Sequence, residues 1–397
     1  MPFSTLHSAL NERASTGLLR TRRTVSSPPS PHIVVDGKSY LSFCSNDYLG
    51  LANHPQLIAA LQQGAKQWGV GSGASHLVSG HTVAHQQLEM ELAKFVDKPA
   101  ALFFSSGYLA NLGAVQALVG RGDTVFADKL NHASLNDAML LSRATIKRYR
   151  HNDVAHLTFL LQQSAGPHKG TMTGRKLIIT DAVFSMDGDI APLPELVGLC
   201  EQHNAWLLID DAHGFGVLGK QGRGSVAHYS LNNPRIIYMA TLGKAAGVSG
   251  AFVAAEQVVI DTVLQTARSY IYTTASPPAL ASALIASLDL IEQDDWRRTQ
   301  LQKLISQLRA GMQSLPWKLH CPLVGLPSDT PIQPLIVGEN NAVLELSDAL
   351  RERGIWIPAI RPPTVPPGTA RLRISLSAAH SGCDVAQLIT TLHELAR

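Results

Sequence analysis

Ala205-Trp206-Leu207-Leu208-Ile209-Asp210-Asp211-Ala212-His213-Gly214 decides how this chain is read, together with Arg235-Ile236-Ile237-Tyr238-Met239 and the Thr241-Leu242-Gly243-Lys244 that follows it. Each is a short, continuously apolar run that ends in a charged group. Runs of this length between turn-forming residues read as fully buried strands rather than helices. The strand at 205–209 would present the Asp210 carboxylate at its carboxyl end, and the strand at 235–239 would present the Lys244 amine. In a sheet of buried parallel strands, functional groups collect along that rim. Taken singly, Lys244 is a lysine after a turn and Asp210 a helix-capping acid. An amine and a carboxylate raised side by side from neighbouring strands are a chemical pair.

The surrounding chain supports such a sheet. From about residue 55 to 290, helical stretches at 55–68, 82–95, 107–119, 134–142, 153–163 and 194–203 alternate with apolar runs. Those runs fall at 100–104, 124–127, 145–149, 176–180, 205–209, 235–239 and 250–255. Seven strands separated by helices predict an α/β fold whose mainly parallel sheet is covered on both faces. Ahead of it, residues 4–20 have helical periodicity and Ser26–Pro31 is a stiff proline-rich connector. Strands at 32–35 and 39–43 then flank an Asp36-Gly37 turn as a hairpin. Beyond it, Pro277-Pro278 opens a helical region that runs as one long helix through Trp296 to about Leu315. The rest alternates again, with strands at 332–337, 355–358 and 371–376 and helices at 341–353 and 384–396. Three parts are expected: an N-terminal helix and hairpin (1–45), a large domain (46–290) and a small C-terminal α/β domain (291–397).

With 397 residues, 45% hydrophobic and 16% charged, the chain has enough apolar material for one large core and a smaller companion. A net charge of +3 is too mild to argue for nucleic acid. Arg20, Arg22 and Arg23 form a local basic cluster that an anionic substrate could meet. Cys44, Cys200, Cys321 and Cys383 are far apart and make no CxxC or Cys/His ligand spacing, so no metal site is expected and a reducing compartment is favoured. The first residues lack the regions of a signal peptide. The uncharged stretches Pro99–Gly120 and Ser269–Leu288 are too interrupted by polar residues and proline to span a bilayer. A cytoplasmic protein is expected.

Further motifs fall on the same rim. Ser105-Ser106-Gly107-Tyr108 follows the strand at 100–104 and opens a helix, a geometry that suits a phosphate dianion. Thr241 and the pair Thr273-Thr274 offer hydroxyls to the same anion. His132, in Asn131-His132-Ala133-Ser134, follows the strand at 124–127, where an imidazole could stack on a ring or cap a helix. Ser185 and His213 occupy equivalent strand-end loops. A lysine, an aspartate, a phosphate cup and a stacking histidine together are what pyridoxal 5′-phosphate (PLP) needs. The amine condenses with the aldehyde, and the carboxylate keeps the pyridine nitrogen protonated so that the ring accepts electrons. A nucleotide-binding reading of Gly243-Lys244 fails, because the phosphate-loop spacing is absent.

Six motifs, in order, carry a family resemblance: Ser45-Asn46-Asp47-Tyr48-Leu49-Gly50-Leu51, Gly69-Val-Gly-Ser-Gly-Ala-Ser75, Asn131–Ser134, Phe184-Ser-Met-Asp-Gly-Asp189, Asp210–Gly214 and Thr241–Lys244. The chain resembles the α-oxoamine synthases, fold-type I (aspartate aminotransferase-like) PLP enzymes that condense an amino acid with an acyl thioester. The resemblance implies Lys244 as the Schiff-base lysine, Asp210 at the pyridine nitrogen and His132 stacked on the ring. It places Ser185 and His213 on the phenolic-oxygen side, and Gly107 and Tyr108 at the phosphate. Asn46 and Arg373 would hold the amino-acid carboxylate, a reading favoured over the alternative that Arg371 and Arg373 simply face solvent from one strand, because planar two-point binding of a carboxylate favours Arg. Arg20 and Thr364 would lie along the acyl-donor path. A homodimer is implied, with Thr273 or Thr274 reaching the partner's phosphate. The stretch Ala359–Arg373 is most similar to the branch that joins L-alanine to a pimeloyl thioester, carried on CoA or on acyl carrier protein. Branches using glycine with acetyl-CoA or succinyl-CoA, or serine with a long-chain donor, share the fold and stay open. The chain departs from the family's usual pattern at Asp181, where Glu is common, and at Ala74-Ser75-His76.

Overall fold

The computed structural model describes residues 2–16, 18–164, 174–319 and 328–396. Its strands, in chain order, are β1 (His32–Val35), β2 (Lys38–Ser42), β3 (Ala100–Phe104), β4 (Thr124–Asp128), β5 (Thr145–Tyr149), β6 (Lys176–Asp181), β7 (Trp206–Asp210), β8 (Ile236–Thr241), β9 (Ala251–Ala255), β10 (Lys318–Leu319), β11 (Ile332–Gly338), β12 (Ile355–Trp356), β13 (Ala359–Ile360) and β14 (Ala370–Ser375). The seven expected strands form one sheet in the order β3-β9-β8-β7-β6-β4-β5. Only β9 runs antiparallel to its neighbours. The α/β, fold-type I expectation therefore holds. Burial explains the pattern: Leu207, Leu208 and Ile209 in β7 are fully buried because helices cover both faces. The edge strand β5, Thr-Ile-Lys-Arg-Tyr, carries charge in its middle, whereas β4, β6 and β7 carry it only at their ends.

β1 and β2 make the antiparallel hairpin, turned at Asp36 and Gly37, both with positive φ (48° and 79°). The helix ahead of it occupies Ser4–Ser15, shorter than the 4–20 expected, and buries none of its side chains. Without a core to pack on, a short helix gains little from its neighbours.

Two expectations past the main sheet need correction. The single long helix is two, Pro278–Gln293 and Asp295–Gly311, broken where Asp294 leaves helical geometry (φ −87°, ψ 58°). Aspartate competes with the helical backbone for hydrogen bonds. Here its carboxylate receives Arg297 Nε at 2.9 Å, while Arg297 also donates to the Leu49 carbonyl at 2.9 Å, which ties the corner to the segment after β2. The strand expected at 355–358 is only β12, because Pro358 has no N–H to continue a ladder. β12 pairs parallel with β2, with Ile355 opposite Leu41, so the hairpin and the C-terminal region share one sheet. The remaining strands form a four-stranded antiparallel sheet, β10-β11-β14-β13. Cys321 lies outside the described residues. Cys44, Cys200 and Cys383 are free thiols. Among the described residues, no helix is long and apolar enough to cross a membrane.

β14 joins the two sheets chemically. Arg371 and Arg373 are both buried, 1% and 7% exposed, so neither faces solvent. The Arg371 guanidinium pairs with the Asp187 carboxylate and donates to the Met186 carbonyl at 3.3 Å, both in the loop after β6. Removing one partner of a buried ion pair strands the other charge. Asp187→Ala should therefore lower stability by about 3–5 kcal/mol, read as a fall in the urea midpoint. The double change Arg371→Met/Asp187→Leu, which leaves no orphaned charge, should lose less.

Candidate active site

The ends of the parallel strands converge on a cavity of about 220 Å³. Asp181 closes β6, Asp210 closes β7, Lys244 stands just past β8, and His132 stands in the loop after β4. Gly107, Tyr108, His132, Ser185, Asp210, His213, Thr241 and Lys244, all singled out from sequence, line it together.

Strand geometry separates the two adjacent aspartates. Asp210 faces the cavity, with Oδ1 accepting the Ala212 N–H at 3.0 Å and Oδ2 accepting Asn111 Nδ2 at 2.7 Å. Asp211 points away and is structural. It accepts the Ser225 N–H at 2.7 Å and the Tyr238 hydroxyl at 2.7 Å, and burial still pushes its carboxyl up to about 6. Asn111 was not foreseen. Its only signal is an amide on the otherwise largely apolar helix Gly107–Leu118, which also carries Gln116; Asn111 bridges Asp210 and Ser134 Oγ (2.9 Å).

Charge in the cavity is unbalanced. Asp181 accepts the His132 N–H at 3.2 Å, and its carboxyl is pushed well above the usual range, first by burial and then by the Asp210 carboxylate. Lys244 is lowered to about 8, because burial disfavours its ammonium more than the nearby Asp210 and Asp181 favour it. Its Nζ lies 2.9 Å from His213 Nε2, and His213 Nδ1 lies 2.7 Å from the Tyr48 hydroxyl. Burial, then the Lys244 and Arg373 charges, hold His213 well below the ordinary imidazole value, so the ring is neutral. His132 takes the capping role at the edge of the cavity. It lines the cavity, and its Nδ1 accepts the Ser134 N–H at 3.3 Å as the cap of helix Ala133–Ser142.

Arg373 reaches this site from β14. It donates to Asn46 Oδ1 at 3.2 Å, to Ser375 Oγ at 2.8 Å, to the Tyr48 hydroxyl at 3.3 Å and to the Ser185 carbonyl. Tyr48, fully buried, thus links Arg373 to His213 and on to Lys244. It sits inside the Ser45–Leu51 motif, but nothing in the sequence marked it out from its neighbours. Thr364 lies against a separate cavity of about 50 Å³ that shares Ser185 as a wall. Arg20 is exposed and outside the lining of the main cavity. Thr273 and Thr274 also fall outside it; Thr274 pairs with Ser75 in an isolated bridge.

The residues present fit PLP. Thr241 Oγ1 is buried without a hydrogen-bond partner, beside the N-terminus of helix Gly107–Leu118. A Cβ on Gly107 would stand 2.4 Å from Thr241 Cγ2, so the backbone there approaches closely enough for only glycine to fit. Free helix N–H groups plus an unpaired hydroxyl suit a phosphate. The Asp210 carboxylate, held toward the cavity by Asn111 Nδ2 and the Ala212 N–H, suits a ring N–H such as that of a pyridinium.

Residues 38–392 match the model of the family described as aminotransferase class I and II. A protein from Nitrosospira multiformis, named 8-amino-7-oxononanoate synthase, is 60% identical over 392 residues, covering 99% of this chain and 96% of that one. A serine palmitoyltransferase variant from S. paucimobilis, solved with a bound PLP-myriocin aldimine, superposes with a TM-score of 0.89 at 28% identity, covering 99% of this chain and 96% of that one. The 8-amino-7-oxononanoate synthase of Francisella tularensis superposes with a TM-score of 0.75 at 32% identity, covering 90% and 97%. The chain belongs to the α-oxoamine synthases within that aminotransferase family.

For an α-oxoamine synthase, a lysine that ionises near 8 has a direct consequence. Below that pH Nζ is an ammonium and cannot attack an aldehyde; above it the free amine dominates. In cofactor-stripped protein, the initial rate of PLP capture at Lys244, followed by absorbance and confirmed by borohydride trapping and peptide mass, should climb through pH about 8. A rise centred near the ordinary 10.5 would contradict the burial argument.

Proposed function

We propose that this enzyme condenses L-alanine with a pimeloyl thioester, on CoA or acyl carrier protein, losing CO₂ and thiol to give 8-amino-7-oxononanoate for biotin biosynthesis. The observation that carries the reading is the unbroken path from the Arg373 guanidinium through Tyr48 and His213 to Lys244 Nζ. It sets a carboxylate-binding group and a proton-accepting amine at opposite ends of one rigid network. Relatives at 54–60% identity are named for this activity, whereas the structurally similar serine palmitoyltransferases stand at 28–29%. That difference favours the alanine branch over the serine branch; the glycine branches are left to the substrate panel below.

PLP, when bound, supplies an aldehyde for the amino acid and a protonated ring that withdraws electrons from the Cα–H bond. Lys244 and Asp210 would hold its two reactive ends, His132 its ring face, Ser185 and His213 its phenolic oxygen, and Gly107, Tyr108 and Thr241 its phosphate. Arg373 and Asn46 bind the alanine carboxylate; the planar guanidinium can meet both of its oxygens and so fixes its orientation. Lys244 Nζ then takes the proton from alanine Cα, a role its lowered basicity suits near neutral pH. His213, neutral and 2.9 Å away, keeps Nζ aimed.

Thr364, sharing the Ser185 wall, and Arg20 belong to the acyl-donor path. The enzyme works as a homodimer, with Thr273 or Thr274 of one protomer reaching the phosphate of the other. Residues 46–290 form the cofactor-holding domain, 291–397 the domain that brings Arg373, and 1–45 the N-terminal segment. The free thiols suit the cytoplasm.

Charge-assisted bonds of this kind contribute roughly 1.5–3 kcal/mol. Arg373→Ala should therefore raise the KM for alanine about 10–100-fold while the spectrum of the bound cofactor stays unchanged, and Arg373→Lys should recover only part of that loss. The branch is tested by pairing alanine, glycine and serine with pimeloyl-, acetyl-, succinyl- and palmitoyl-CoA and following free thiol. Alanine with pimeloyl-CoA should lead, and a faster glycine or serine pair would reassign the enzyme.

A further inference from the structure

A second cluster lies outside this cavity. His76 and His81 on the segment 76–82, and His85 in the first turn of helix Val83–Phe95, place one ring nitrogen each within 4.8 Å of one another. His76 Nδ1 and His81 Nδ1 face each other across 3.0 Å, with the ring planes tilted by 53°. The outer nitrogens are already engaged. His85 Nε2 donates to the Ser276 carbonyl at 2.7 Å, which fixes the tautomer and leaves Nδ1 with a lone pair. His81 Nε2 faces Gln86 Oε1 at 3.4 Å and Glu89 Oε2 at 3.9 Å. His76 is held by stacking on Tyr270, with centroids 4.7 Å apart.

Three imidazoles with oxygen acceptors behind two of them match the way outer-shell groups orient metal-bound histidines. Among themselves the rings are poorly served. One proton must satisfy both facing nitrogens of His76 and His81, and His85 Nδ1 falls back on the Thr82 N–H at 3.1 Å and the Thr82 hydroxyl at 3.0 Å. A cation would use all three lone pairs at once. It would give up the shared His76–His81 bond and the two Thr82 bonds to His85 Nδ1 for three metal–nitrogen bonds. His76, His81 and Glu89 also line an open cavity of about 670 Å³, so an ion and a water have a way in.

We propose that His76, His81 and His85 bind one divalent first-row transition ion of the imidazole-preferring class, zinc foremost, with water as fourth ligand. The site ties the segment 72–85 to the segment 270–276. Those segments already meet where Ser72 Oγ donates to the Ser276 carbonyl at 2.6 Å and the Ala275 N–H to the Ala74 carbonyl at 3.0 Å. Bound metal would brace the loop carrying Thr273 and Thr274. That consequence rests on the role given to these threonines under the proposed function; the binding itself does not.

The test uses the full-length, PLP-loaded enzyme, dialysed against a chelator and then titrated with Zn²⁺ by calorimetry and with Co²⁺ by visible absorbance. The expected result is one Zn²⁺ per chain, intense tetrahedral Co²⁺ bands and a Tm raised by Zn²⁺. In His81→Ala, affinity should fall roughly 100-fold or more, since losing a ligand costs more than the 10–100-fold loss of an outer-shell partner. The Tm gain should vanish with it, while the cofactor spectrum stays intact. Binding that is substoichiometric, or that His81→Ala leaves unchanged, overturns the proposal. Should His81→Ala not fold, the wild-type Co²⁺ spectrum decides, and absence of tetrahedral bands overturns it equally.

Discussion

Burying a lysine beside two aspartates at the ends of adjacent parallel strands is the constraint on which the rest of this structure depends. Water would screen such a trio to near irrelevance. Inside the cavity, loss of hydration lowers Lys244 and raises Asp181, so the site holds a reactive amine near neutral pH. Only a sheet covered on both faces can supply that dryness. The apolar strands β6, β7 and β8 are therefore as much part of the chemistry as the groups at their ends.

The second requirement is that the cavity be closed from the other sheet without leaving a charge stranded. β14 meets it with two arginines on one face. Arg371 is neutralised by Asp187 and locks the loop that carries Ser185. Arg373 keeps its guanidinium on neutral acceptors, Asn46, Tyr48, Ser375 and a carbonyl, so its charge is not spent on a carboxylate within the chain. A cation held by neutral oxygens in a buried site is poised for an incoming anion, here the carboxylate of an amino acid.

Much of this was legible in the residues. Seven apolar runs alternating with helices led to the sheet, and the groups immediately after those runs led to Lys244, Asp210, His132, Ser185 and Thr241, because strand ends are fixed by local patterning. Asn111, Tyr48 and the division of labour between Asp210 and Asp211 were not legible. Each depends on which way a side chain points once helices and strands have packed. The break at Asp294 and the capture of β12 by the N-terminal hairpin escaped for the same reason, since both answer to partners far away in sequence. The histidine cluster was not read from the sequence, where no metal site was expected; only folding showed ring nitrogens of His76, His81 and His85 converging.

The order of strands and helices, the rim along which function lies and the types of group placed there were determined by sequence alone, because hydrophobic periodicity and turn chemistry are local properties of the chain. Tertiary structure decided which of those groups share one dry cavity, how their acidities shift and which arginine faces which acid. Desolvation and Coulomb interaction act through space, between residues as far apart in the chain as Asn46 and Arg373.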